Sequence, residues 1–162
     1  MGFLTWLQET EFVQFLASDP YAYPILLCFH AVGMATVVGI VWVMSLRVLG
    51  YPRGLTLETF ETLSTVAFYG FLMNLASGLL IFSTEANRII DNTEFLIKMA
   101  AILIGLVTVW YMSRSLKTMR AAGGQGVFPA PAKIIAVASS LAWLIAIIAG
   151  RYIAYTIKPP FG

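Results

Sequence analysis

The sequence predicts an all-α integral membrane protein: a four-helix transmembrane bundle with a short N-terminal interfacial helix. Three observations predict it. Of 162 residues, 59% are hydrophobic and 11% charged, against about 25% charged in a soluble domain. A chain of this length cannot enclose so much apolar surface in water. Four apolar runs, at about 25–49, 60–82, 95–116 and 134–157, each exceed the roughly 20 helical residues that cross a hydrocarbon core about 30 Å thick. Their hydrophobicity does not alternate over pieces of about ten residues, as β-barrel spans require. The length fits one domain, residues 1–162.

Residues 1–19 carry two apolar groups, Phe3-Leu4-Trp6-Leu7 and Phe12-Val13-Phe15-Leu16. Thr5-x-x-Gln8 suits a helix start, although Glu11 would fall beneath Leu4 and Leu7 in one continuous helix. The segment reads as an interfacial helix anchored by Trp6, or as an arm packed on a partner subunit. It does not read as a secretory signal, because it has no basic start and Glu9 and Glu11 interrupt the apolar run.

No charge lies between Asp19 and Arg47 in the first span. Asp19 can cap it with Pro20 at the first helical position, or the helix can begin at Pro24. Gly50, Pro52 and Gly54 stop it. The second span has Thr56 as N-cap, with Glu58 and Glu61 at the positive end of the helix dipole. Asp91-Asn92-Thr93-Glu94 reads as a capping box before the third. Arg151 interrupts the fourth. The connection Ala121-Ala122-Gly123-Gly124-Gln125-Gly126, followed by Phe128-Pro129-Ala130-Pro131, is flexible and then stiff. It lacks the Gly-Lys-Ser/Thr end of a phosphate loop.

Charge sets the orientation. One side holds Arg47, Arg53, Arg114, Lys117, Arg120 and Lys133; the other holds Arg88, Lys98, Arg151 and Lys158 with most of the acids. The positive-inside rule makes the first side cytoplasmic, so a bacterial inner-membrane protein would have both termini in the periplasm. The net charge of +2 and single cysteine, Cys28, exclude an intrachain disulfide, a cysteine metal site and CxxCH haem attachment. A nucleic-acid partner is not indicated. The partners expected are lipid and other membrane subunits or further copies of the chain.

Val41-Trp42-Val43-Met44-Ser45 echoes Val109-Trp110-Tyr111-Met112-Ser113, and the same offset sets His30 against Lys98. A parallel repeat would place those two at one depth. Ionisable groups inside spans mark candidate sites, and here the outer half collects His30, Asn74, Lys98 and Arg151, with Tyr155 one turn beyond Arg151.

His30, the only histidine, has three readings. It is an axial ligand of a b-type haem, a hydrogen-bond donor to a quinone, or a structural residue satisfied by Asn74, a tyrosine or the backbone. A bis-ligated haem needs a second ligand, either from a partner chain or symmetry mate or from Met34, Met73 or Met99; a five-coordinate haem needs none. Lys98 and Arg151 suit haem propionates, but Lys98 is better explained as a snorkelling side chain paired with Glu94. Ala31-Ala35-Gly39, Gly70-Asn74-Gly78 and Ala138-Ala142-Ala146 each form a small-residue helix face suited to close packing in lipid. No nucleophile–base–carboxylate set is visible, so catalysis by the chain alone is not expected.

His30-Ala31-Val32-Gly33-Met34 through Ser45-Leu46-Arg47-Val48-Leu49-Gly50 resembles the first core helix of a group of small uncharacterised bacterial membrane proteins. That group is distantly similar to the copper-resistance-D-like, b-type-cytochrome-like membrane proteins. Phe71 through Phe82 and Phe95-Leu96-Ile97-Lys98-Met99 look like its second and third helices, and the resemblance covers about residues 25–155. It implies that His30 is the ligand histidine. Such proteins carry another histidine late in the third helix, where this chain has Trp110-Tyr111-Met112. The expected function is therefore a small subunit of an electron-transfer assembly, binding haem b or a quinone near the outer side. The alternatives are a cofactor-free structural subunit and, third, a copper-handling or transport protein.

Overall fold

The computed structural model describes residues 2–51, 57–121 and 128–156. Among the described residues, seven helices form: α1 Phe3–Gln8, α2 Glu11–Ser18, α3 Ala22–Leu49, α4 Leu57–Thr84, α5 Ala86–Ile89, α6 Thr93–Ala121 and α7 Ala130–Thr156. Four helices, Ala22–Leu49, Thr59–Thr84, Thr93–Met119 and Ala130–Thr156, are long and apolar enough to cross a membrane. The chain is a multi-span all-α membrane protein. The helices outrun the apolar stretches because hydropathy marks only the hydrocarbon core, whereas the helical backbone continues through the headgroup layers.

Local chemistry sets the helix ends. The Asp19 carboxylate accepts from the N–H groups of Tyr21 and Ala22, each at 2.8 Å, so Asp19 caps α3 and the chain turns at Pro20 as expected. Gly50 ends α3 at φ 111°. Its N–H bonds to Arg47 O and that of Tyr51 to Leu46 O, a Schellman pattern that needs a left-handed residue at Gly50. Asn92 caps α6 through Oδ1, 3.0 Å from Phe95 N. Glu94 stands one position too early to close the expected box, and Asn92 Nδ2 donates instead to Thr156 Oγ1 at 2.9 Å. Pro52, Gly54, Thr56, the 122–126 segment and Lys158 lie outside the described residues, as does the Glu58 side chain.

The N-terminal segment is two short helices rather than one. Thr10 breaks it, its hydroxyl donating to Leu7 O at 2.8 Å. The break frees the second apolar group from the register that put Glu11 under Leu4. Val13 and Leu16 are then buried while Trp6, Phe12 and Phe15 stay exposed. Gln8 Nε2 donates to Thr84 O at 3.1 Å, and Asn87 Nδ2 donates to Gln8 Oε1. These bonds tie α1 to the end of α4 and to α5.

In the bundle α3 packs on α4, α6 on α7, and α3 on α7 joins the two pairs. The core at the Gly50 end gathers Met44, Val48, Phe60, Met112, Leu116, Phe128, Ala132 and Ala136. The echoed methionines Met44 and Met112 thus share one cluster. A second layer holds Val37, Val38, Val41 and Trp143. Trp143 lies against Gly105, where a Cβ would stand 2.8 Å from its indole.

The small-residue faces are used unevenly. Ala31, Ala35 and Gly39 are exposed, and α3 packs through Gly33, Val37 and Val41 instead. The Gly70-Asn74-Gly78 face of α4 does pack against α3. On α7, Ala142 and Ala146 are buried and Ala138 is not.

Candidate functional site

At the α5 end of the bundle, α3 and α4 are held close by missing side chains. A Cβ on Gly33 would lie 2.7 Å from Asn74 N and 2.8 Å from Gly70 O. Both are backbone atoms of α4, so the helices touch main chain to main chain. Gly78 leaves room for the imidazole of His30: a Cβ there would sit 3.0 Å from Cε1.

Close approach permits reciprocal bonds. His30 Nδ1 lies 3.0 Å from the Asn74 carbonyl oxygen, and Asn74 Nδ2 donates to the His30 carbonyl oxygen at 2.8 Å. Ser77 Oγ stands 3.3 Å from Nδ1, its own hydrogen directed at Met73 O, 2.7 Å away. A carbonyl can only accept, so this network assigns the proton to Nδ1 and leaves Nε2 as an acceptor. The 3.4 Å approach of Asn74 Nδ2 to Nδ1 is then a contact between two donors.

Nε2 faces Lys98 Nζ at 3.4 Å. The Lys98 stem also runs along Gly150 of α7, where a Cβ would be 3.4 Å from its Cδ. The cluster therefore joins all four long helices: His30 from α3, Asn74 and Ser77 from α4, Lys98 from α6 and Gly150 from α7. The pairing of His30 with Lys98 by sequence offset corresponds to direct contact.

Two sequence expectations need revision. Lys98 turns inward to His30 instead of snorkelling to a Glu94 partner; among the described residues, the ion pair formed at this end is Glu85 with Arg88, at 2.7 Å. Arg151 and Tyr155 do not join the cluster. Both are exposed, with the guanidinium 5.7 Å from the Tyr155 ring centroid.

Of the proposed second iron ligands, Met99 is exposed, and Met34 packs against the Val37–Trp143 layer. Among the described residues, no three His, Cys, Asp or Glu side chains come together as a metal site. Sequence reasoning missed Ser77, which lies three residues from Asn74 on the same helix face, and Gly33. The signal for Gly33 was its one-turn spacing from His30.

The chain belongs to a family of unknown function, DUF6644, which matches residues 3–156. No curated protein and no solved structure matches it.

Proposed function

We propose that this member of DUF6644 is a small subunit of a membrane electron-transfer assembly, and that Lys98, positioned by His30 and Asn74, holds the headgroup of a quinone. The observation that carries this reading is Lys98. Its amino group is turned into the bundle and fixed by His30 Nε2 at 3.4 Å. It keeps donor hydrogens beyond the one His30 accepts. An ionisable group inside a span marks a site by default, and the ligand it asks for is soluble in hydrocarbon and presents acceptor oxygens. A quinone carbonyl meets both demands. Lys98 would donate to that oxygen and stabilise the charge that gathers there on reduction. His30 would position Lys98, and Asn74 would fix the ring that positions it.

Haem b fits this arrangement less well. Iron would take Nε2, which already faces Lys98, and of the methionines considered as its opposite ligand Met99 is exposed and Met34 packs against the Val37–Trp143 layer. Arg151 and Tyr155 serve in this reading as anchors at the headgroup layer. A purely structural subunit would use the same hydrogen bonds but would bind no quinone.

The test is a quinone titration of the purified chain in lipid nanodiscs, with a dithionite-reduced spectrum of the same sample. The expected result is saturable quinone binding and no b-type α band that follows this chain. A stoichiometric α band with no quinone binding would overturn the proposal.

We further propose a bacterial inner-membrane location with both termini periplasmic, from the basic residues of the Gly50 end. A reporter fused after Lys117 should be cytoplasmic and one after Gly162 periplasmic. Both on one side would contradict the four-span orientation.

A further inference from the structure

The bundle is closed unevenly. α3 lies against α4 main chain to main chain at Gly33, α6 packs along α7, and α3 packs on α7. The remaining seam, between α4 and α6, is not a close helix contact among the described residues. Toward the Gly50 end it is open: a cavity of about 350 Å³ has Phe60 and Ser64 of α4 on one wall and Ser113 and Leu116 of α6 on the other. At the α5 end two side chains bridge it. Phe82 of α4 stacks on Phe95 of α6, with ring centroids 5.4 Å apart and planes 15° from parallel, and both rings are partly buried. This pair adjoins the polar cluster. Phe95 precedes Lys98 by three residues on α6, and Phe82 follows Gly78 by four on α4; positions so spaced are neighbours on one helix face. Gly78 in turn makes room for the His30 imidazole, whose Cε1 would lie 3.0 Å from a Cβ there. A ligand whose oxygen meets Lys98 Nζ therefore has both phenyl rings within reach of its own ring.

We propose that Phe82 and Phe95 clamp the quinone ring at the lipid-facing seam between α4 and α6. The clamp rests on the quinone reading of Lys98 and adds to it the residues that select a flat ring. A ligand dissolved in lipid reaches Lys98 from the side, and the other three seams are shut by packed helices. Parting α4 from α6 breaks one stacked pair and no close main-chain contact. The loss is made good on the ligand, because a quinone ring is planar and electron-poor and stacks on phenyl faces. Lys98 would then fix the oxygen while the two phenyl rings fix the plane.

The test is a titration of the full chain in lipid nanodiscs with a decyl-tailed benzoquinone, comparing the wild type with Phe82→Leu, Phe95→Leu and Phe95→Tyr, each with its helical circular dichroism recorded. Leucine keeps an apolar side chain and removes the ring, so each leucine variant should bind about two- to tenfold more weakly, the range of one aromatic pair. Tyrosine keeps the ring and should bind as the wild type does. Methionine at either position makes the same comparison if leucine disturbs the helices. Wild-type affinity in both leucine variants would overturn the clamp and leave the quinone reading standing. Weakening by tyrosine as great as by leucine would reduce Phe95 to a packing residue and overturn it as well. A wild type that binds no quinone would overturn both the clamp and the reading beneath it.

Discussion

Replacing Gly33 with alanine is expected to destabilise the bundle by about 2–3 kcal/mol, the upper part of the range for overpacking a tight contact. The added Cβ would meet Asn74 N at 2.7 Å and Gly70 O at 2.8 Å. Neither is the end of a flexible side chain, so α3 and α4 must separate to admit it. Separation would also lengthen the 3.0 and 2.8 Å bonds that His30 and Asn74 exchange, so the polar cluster should loosen together with the packing. Gly39→Ala is the control. No atom lies within 4 Å of a Cβ there, and alanine is the better helix former by about 1 kcal/mol. Thermal unfolding in detergent, followed by circular dichroism, should show a clear drop in Tm for Gly33→Ala and none for Gly39→Ala. Equal melting of the two variants would mean that the α3–α4 contact is not as close as described.

His30→Ala should leave the protein folded in the membrane yet weaken quinone binding by about tenfold or more, as expected when a hydrogen-bonded positioning group is lost. The two outcomes separate because the bonds that His30 makes between helices are individually weak, averaging about 0.6 kcal/mol in membrane proteins. Lys98, by contrast, loses the acceptor that aims it. His30→Gln discriminates further. A glutamine amide offers one donor for the Asn74 carbonyl and one acceptor for Lys98, the same pattern as the imidazole with its proton on Nδ1. Much of the binding should therefore return. An iron ligand would behave differently, since an amide is a poor substitute for imidazole on haem. If Gln fails as completely as Ala while folding is intact, the positioning role of His30 is wrong. If Ala binds quinone as the wild type does, His30 is a packing residue.

Much of this architecture was legible in the sequence, because lipid imposes a simple rule. Each span needs about 20 apolar residues, and four such runs stand out. Asp19 and Gly50 were readable as a helix start and stop because capping depends on local chain chemistry. The break at Thr10 was not. Its local signal was a single hydroxyl, that of Thr10 bonding back to Leu7 O, which hydrophobic patterning does not register.

The same division holds at the site. His30, Asn74 and Lys98 were marked by polarity within apolar spans, and the sequence offset already related His30 to Lys98. The rotation of each helix about its axis was not legible. α3 is apolar around its whole circumference, so hydrophobic periodicity could not show that Gly33 packs inward and Gly39 outward. For the same reason Arg151, adjacent in sequence to Gly150, was grouped with the site although its side chain leaves the bundle. The inward turn of Lys98 lays its stem along Gly150, a contact between two helices that no single stretch of sequence encodes.

The central claim is that Lys98 is the group that takes the ligand's oxygen. Quinone titration of Lys98→Met against the wild type, each in nanodiscs and each with its helical circular dichroism recorded, tests it most directly. Methionine keeps an unbranched stem along Gly150 but removes every donor. The account predicts saturable binding in the wild type and, in a folded Lys98→Met protein, affinity at least about tenfold weaker. Equal affinity in the two proteins would contradict it.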